Sequence, residues 1–137
     1  MKLKEKKALI TGAAQGIGLA ISELFLEQGA NIIMLDKNEH ELNKASARLL
    51  DKYPFRVETI VCDMNNIAQV EQSAKVAWDC WDGFDILINN AGIATREPFL
   101  ELSLEVWEHV LNGNMRARFV LSQDISRRMV AAKLPGA

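Results

Sequence analysis

The sequence predicts an α/β protein on a doubly wound parallel sheet, forming a single domain over residues 1–137. Three observations carry that reading. Short apolar runs alternate with helical-period stretches from the beginning of the chain. The first run empties into a glycine-rich turn that opens a helix. The second run closes on an acid, Asp36.

Each element has its own signal. Lys7–Thr11 is a short apolar strand stopped by Gly12. From Gly16 a helix follows, because Ile17, Ala20, Ile21, Leu24 and Phe25 recur at helical spacing and mark one buried face. Gly29 ends it as a left-handed cap. Asn31–Asp36 is a second buried strand. Asn38 with Glu41 starts a helix carrying Leu42, Ala45 and Leu49, which Tyr53 and Pro54 terminate.

Residues 56–62 alternate and then turn apolar, a third strand before Asp63. Asn66 with Gln69 opens a helix through Val70, Ala74, Ala77 and Trp81. Residues 84–89 form the fourth strand. Ser103 caps one long helix to about Lys133, where Pro135 and Gly136 forbid continuation. Gly113 costs that helix about 1 kcal/mol of propensity relative to alanine and predicts a local bend.

Composition excludes several classes. Apolar residues make up 49% and charged residues 25%, the balance of a globular rather than a disordered chain. A net charge of −2 leaves no strong field for nucleic acid or anionic membrane, so neither is an expected partner. No stretch approaches a membrane span. The basic start lacks the apolar run of a secretory leader, and a cytoplasmic location is expected.

Cys62 and Cys80 are too far apart for a CxxC pair. They are expected to be buried free thiols, with a disulfide as the open alternative. His40 and His109 lie in different helices without matched ligand spacing, so no metal site is expected. Trp78 and Trp81 read as packing residues. Arg116, Arg118, Arg127 and Arg128 read as a solvated helix face rather than an anion site.

The chemistry concentrates at the first strand–helix junction, Thr11-Gly12-Ala13-Ala14-Gln15-Gly16-Ile17-Gly18. Glycines there let the backbone turn sharply and approach a pyrophosphate, while the helix start offers free N–H groups and a positive dipole end. A plain tight turn is the alternative. Asp36 lies eighteen residues past Gly18, where a carboxylate can accept both ribose hydroxyls of an adenosine. Its alternative role is a solvated turn residue or a helix cap.

The GxxxGxG spacing, with Asn89-Asn90-Ala91-Gly92 closing the fourth strand, resembles the short-chain dehydrogenase/reductase family. Asp63, Asp85, Trp107 and Asn114 fit the same pattern. The resemblance implies a Rossmann-type sheet, truncated after about four strands in the order 3-2-1-4, and a nicotinamide dinucleotide as cofactor. It also implies site roles. Gly12, Gln15, Gly16, Ile17 and Gly18 would wrap the phosphates and ribose. Asp36 would hold the adenosine ribose, and Asp63 with Met64 the adenine edge. Asn90, Ala91 and Gly92 would wall the nicotinamide ribose, and Asn114 would support an active-site water and lysine relay. The carboxylate of Asp36 and the neutral Gln15 favour NAD over NADP, while Lys37 pulls the other way.

The family's acid–base centre is a serine with a YxxxK pair, and these residues do not contain it. Tyr53 is the one tyrosine, followed by Pro54 and with Val57 four positions on. Ser122 and Ser126 lie inside the last helix. The chain therefore resembles the N-terminal, cofactor-binding half of a family member that acts on an alcohol or carbonyl substrate. Its fourth strand is expected at a sheet edge, where an unpaired ladder invites self-association. Two other functions stay open: a non-catalytic dinucleotide-binding or interaction module pairing through that edge, and an adenosylmethionine-dependent methyltransferase, which GxxxGxG and NNAG argue against.

Overall fold

Two apolar strands form the centre because both of their faces are covered. These are β1 (Lys7–Thr11) and β2 (Asn31–Asp36), whose successive side chains leave on opposite sides. The computed structural model describes residues 1–137. It adds β3 (Val57–Val61) beside β2 and β4 (Ile86–Ile88) beside β1, all parallel, in the order β3-β2-β1-β4. This is the predicted order. Parallel neighbours require crossovers, and helices supply them: α1 (Gly16–Glu27), α2 (Glu39–Lys52) and α3 (Ile67–Cys80). After β4 come α4 (Leu104–Leu111), a single π-helical turn at Asn112–Arg116, and α5 (Ala117–Ala131).

The strand alternation sorts the core into two layers. Leu9, Ile33 and Leu35 pack with Val70, Ala74 and Ala77 of α3 and with Ala117, Leu121, Ile125 and Met129 of α5. Ile10, Ile32 and Met34 face the other way, onto Leu26 of α1 and Leu42, Ala45 and Leu49 of α2. Asn38, Asn66 and Ser103 cap α2, α3 and α4 by accepting from the amides of Glu41, Gln69 and Val106. Trp78 and Trp81 pack against the first layer, Trp78 with its ring 5.6 Å from that of Phe84. No helix is long and apolar enough to cross a membrane.

The structure corrects several expectations. The sheet-facing side of α1 is Gly18, Ser22 and Leu26, whereas Ile17 and Leu24 are 73% and 53% exposed. The helix is apolar nearly all round, so the small residues decide which side can approach the sheet. As the expected order requires, β3 is a sheet edge, with Glu58, Thr59 and Val61 exposed. The strand at 84–89 shortens to Ile86–Ile88. The last helix runs unbroken from Leu104 to Ala131, as one long helix was expected to, with a π turn at Asn112–Arg116 around Gly113. Both cysteines are free, but only Cys62 is buried. The outer ladder of β4 is not wholly unpaired: Ala137 donates to the Asp85 carbonyl at 2.9 Å and accepts from Leu87 N–H at 2.8 Å.

The two leucines of α1 separate burial from composition. Leu26→Ala is expected to lower unfolding free energy by about 2–5 kcal/mol. Leu24→Ala should stay within about 0.5 kcal/mol of the parent. Urea unfolding followed by circular dichroism checks both; equal losses would contradict the assigned face.

Candidate functional site

The site is built where the β1 and β4 loops leave the sheet side by side. Thr11 ends β1 with its hydroxyl between those loops. Its Oγ1 accepts from the amides of Asn90 at 3.0 Å and Ala91 at 2.9 Å, and donates to the Ile88 carbonyl at 3.3 Å. Asn90 answers from the other side, its side-chain amide donating to the carbonyls of Thr11 at 3.1 Å and Gly12 at 3.2 Å. Strand-end polar groups that would otherwise be buried unpaired thus satisfy one another.

A third loop joins from β2. Asp36 Oδ2 accepts from Ala14 N–H at 3.1 Å, and Oδ1 accepts from Asn38 N–H at 3.0 Å. Two backbone donors therefore hold the carboxylate at the strand tip beside the glycine loop. Gln15, the residue before α1, makes no side-chain cap, so the first-turn amides of α1 remain available to an anion.

Together these loops enclose a crevice of about 350 Å³. Its lining includes Gly12, Gln15, Gly16, Ile17 and Asp36, then Asp63 and Met64, then Asn90, Ala91 and Gly92, with Gly12 lying against Asn90 and Ala91. Two glycines test its fit to a phosphorylated ligand. A Cβ on Gly18 would lie 2.0 Å from the Gly12 carbonyl oxygen, so only glycine lets α1 start this close to the loop. Gly16 has φ +57° and nothing within 4 Å of where a Cβ would stand, leaving backbone exposed to the crevice. An uncapped helix start, bare backbone and a neighbouring fixed carboxylate suit an adenosine diphosphate moiety.

A sequence model described as short chain dehydrogenase matches residues 6–136. The chain belongs to the short-chain dehydrogenase family. Among its relatives, D-threitol dehydrogenase of Mycolicibacterium smegmatis is 36% identical over 96% of this chain and 50% of its own length. NAD-dependent glycerol dehydrogenase of Listeria innocua is 33% identical over 94% of this chain and 49% of its own length. The structure of L-sorbose reductase from Gluconobacter frateurii, complexed with NADPH and L-sorbose, aligns with a TM-score of 0.89 at 30% identity, covering 96% of this chain and 51% of that one. The chain spans about half the length of the relatives it matches. Short-chain dehydrogenases are oxidoreductases that bind a nicotinamide dinucleotide.

Ten of the predicted family positions line the crevice; Gly18 lies just behind it and Asn114 just beyond. Asn114 sits in the π turn with both ends of its amide engaged: Oδ1 accepts from Ile93 N–H at 2.8 Å and Nδ2 donates to the Ile93 carbonyl at 2.7 Å. Leu35, Lys37, Cys62, Asn65, Ile93 and Gly113 also line the crevice, and the sequence reading had not placed them there. Burial pushes the Cys62 thiol above its ordinary value, so a neutral thiol faces this region at physiological pH. Tyr53 lines a separate depression with Glu23, Arg48 and Lys52, apart from the crevice.

Thr11 is the residue whose importance the sequence concealed, although a hydroxyl directly before Gly12 was in view. Thr11→Val leaves two amides without their acceptor and should destabilise the fold by about 1–3 kcal/mol, with Thr11→Ser recovering most of it. Thermal unfolding of the three proteins checks this; a valine variant as stable as the parent would contradict the pinning of the two loops.

Proposed function

We propose that this chain binds NAD(H) and is the dinucleotide-binding portion of a dehydrogenase that interconverts an alcohol and a ketone or aldehyde. One observation carries the reading: a single crevice brings together the uncapped start of α1, the anchored carboxylate of Asp36 and the 90–92 loop. The cofactor, when bound, supplies or accepts the hydride of the reaction. The chain's own residues bind and orient it. First-turn amides of α1 face the phosphates, Asp36 accepts from the adenosine ribose, and Asp63 with Met64 border the adenine. Residues 90–92 wall the nicotinamide ribose, and Asn114 keeps that wall in place through Ile93.

The preference for NAD over NADP follows from the fixed geometry of Asp36. Its carboxylate is tied down by two backbone donors, and this fixed charge opposes a 2′-phosphate more firmly than the exposed Lys37 of the same crevice, on a long flexible side chain, attracts one. A 2′-phosphate would meet the carboxylate at the position the hydroxyls occupy, a repulsion of about 1–2 kcal/mol in a partly solvated site. Tyr53, the one tyrosine, stands apart from the crevice and is not placed to serve it as a proton donor. These residues alone should therefore turn over little or no substrate. Free thiols at Cys62 and Cys80 suit a reducing cytoplasm.

Fluorescence titration checks the reading. NADH should bind residues 1–137 with a dissociation constant in the micromolar range or weaker, because these residues correspond to about half the length of the relatives they match. NADPH should bind about tenfold more weakly, and Asp36→Asn should narrow that gap to about twofold. Tighter binding of NADPH than of NADH by the parent would contradict the assignment, and a submicromolar constant would contradict the weak binding expected of these residues alone.

A further inference from the structure

Arg118 departs from the solvated helix face that the sequence suggested. It lies one turn past Asn114, the first residue but one of α5, and points back toward the site. Its Nη2 donates to the Ala91 carbonyl at 2.7 Å and its Nε reaches the same oxygen at 3.3 Å. It forms no ion pair, unlike Arg128, which pairs with Asp124 four residues earlier. The whole of its directed charge is spent on one backbone carbonyl of the 90–92 loop.

The neighbouring geometry explains why that carbonyl needs holding. A Cβ on Gly92 would lie 3.0 Å from Asn114 Oδ1 and 3.2 Å from Arg118 Nη2. Asn114 and Arg118 therefore close over Gly92 from the same helix, one gripping Ile93 and the other Ala91. The two residues stand four apart on one helical run, so both side chains leave the same face toward the loop. On the opposite side, Thr11 holds the amides of Asn90 and Ala91. With Arg118 in place, Ala91 is secured at both its N–H and its C=O.

We propose that Arg118 is a positioning residue of the dinucleotide site, fixing the 90–92 wall that faces the nicotinamide ribose. The proposal rests on the dinucleotide reading of the crevice. Arginine suits the task because a planar guanidinium presents adjacent donors to one acceptor, while a lysine ammonium offers a single flexible charge. A charge-assisted bond to a carbonyl is also stronger than a neutral one. The effect falls mainly on the 90–92 wall, since Ala14 of the glycine loop and Asp36 are held by bonds that do not involve Arg118.

The test compares NADH with AMP, which reaches only the adenosine end, in wild type, Arg118→Met and Arg118→Lys. Arg118→Met should weaken NADH about tenfold and leave AMP within about twofold, with Arg118→Lys recovering part of the loss. In the ligand-free methionine variant, amide hydrogen exchange at residues 90–93 should accelerate. An Arg118→Met protein that binds NADH as wild type does overturns the role. So does a parallel loss of NADH and AMP, which would make Arg118 a general structural residue. A wild-type protein that binds neither ligand overturns the dinucleotide reading itself, a result distinct from either.

Discussion

The missing side chain at Gly18 is the constraint on which the site depends. A single methyl group there would stand 2.0 Å from the Gly12 carbonyl oxygen, a distance no relaxation of a side chain could relieve. Without it, α1 begins against the loop that leaves β1, and its uncapped amides open onto the crevice rather than into solvent. The rest is arranged around that contact. Asp36 ties the β2 tip to Ala14 in the same loop, and Thr11 ties the β4 exit to the end of β1.

The sheet follows from an elementary property of β1 and β2. Both are apolar on both faces, so both must be covered on both sides, and helices on each side meet that requirement. The two layers are then joined through the same strands. The positions of Thr11 and Asp36 at the strand ends inherit the rigidity of this centre, which is what allows a loop site to be geometrically defined.

The strands and the helix caps were legible because each has a local signal, an apolar run or an Asn or Ser three residues before a free amide, whereas the strand order and the 63–64 and 90–92 positions came through the family resemblance. What escaped the sequence depends on direction rather than type. The buried side of α1 was misread because Ile17 and Leu24 are as apolar as Leu26, and only the small size of Gly18 and Ser22 selects the side that can approach the sheet. Arg118 was misread because its neighbours Arg116 and Arg127 are ordinary exposed cations, and the direction in which a helix arginine turns is not written in its own identity. Cys80 was misread as buried because it shares the exposed side of the end of α3 with Asp79, while Ala77 and Trp81 take the side that packs on the core.

The central claim is that the start of α1 and the tip of β2 hold one ligand between them. Two-dimensional amide NMR of the isotopically labelled chain during addition of NADH tests it most directly. The account predicts that the largest saturable shifts fall on residues 15–18 and 36–37, with a second group at 90–93. Saturable shifts confined to other surfaces, or a spectrum that NADH leaves unchanged, would contradict it.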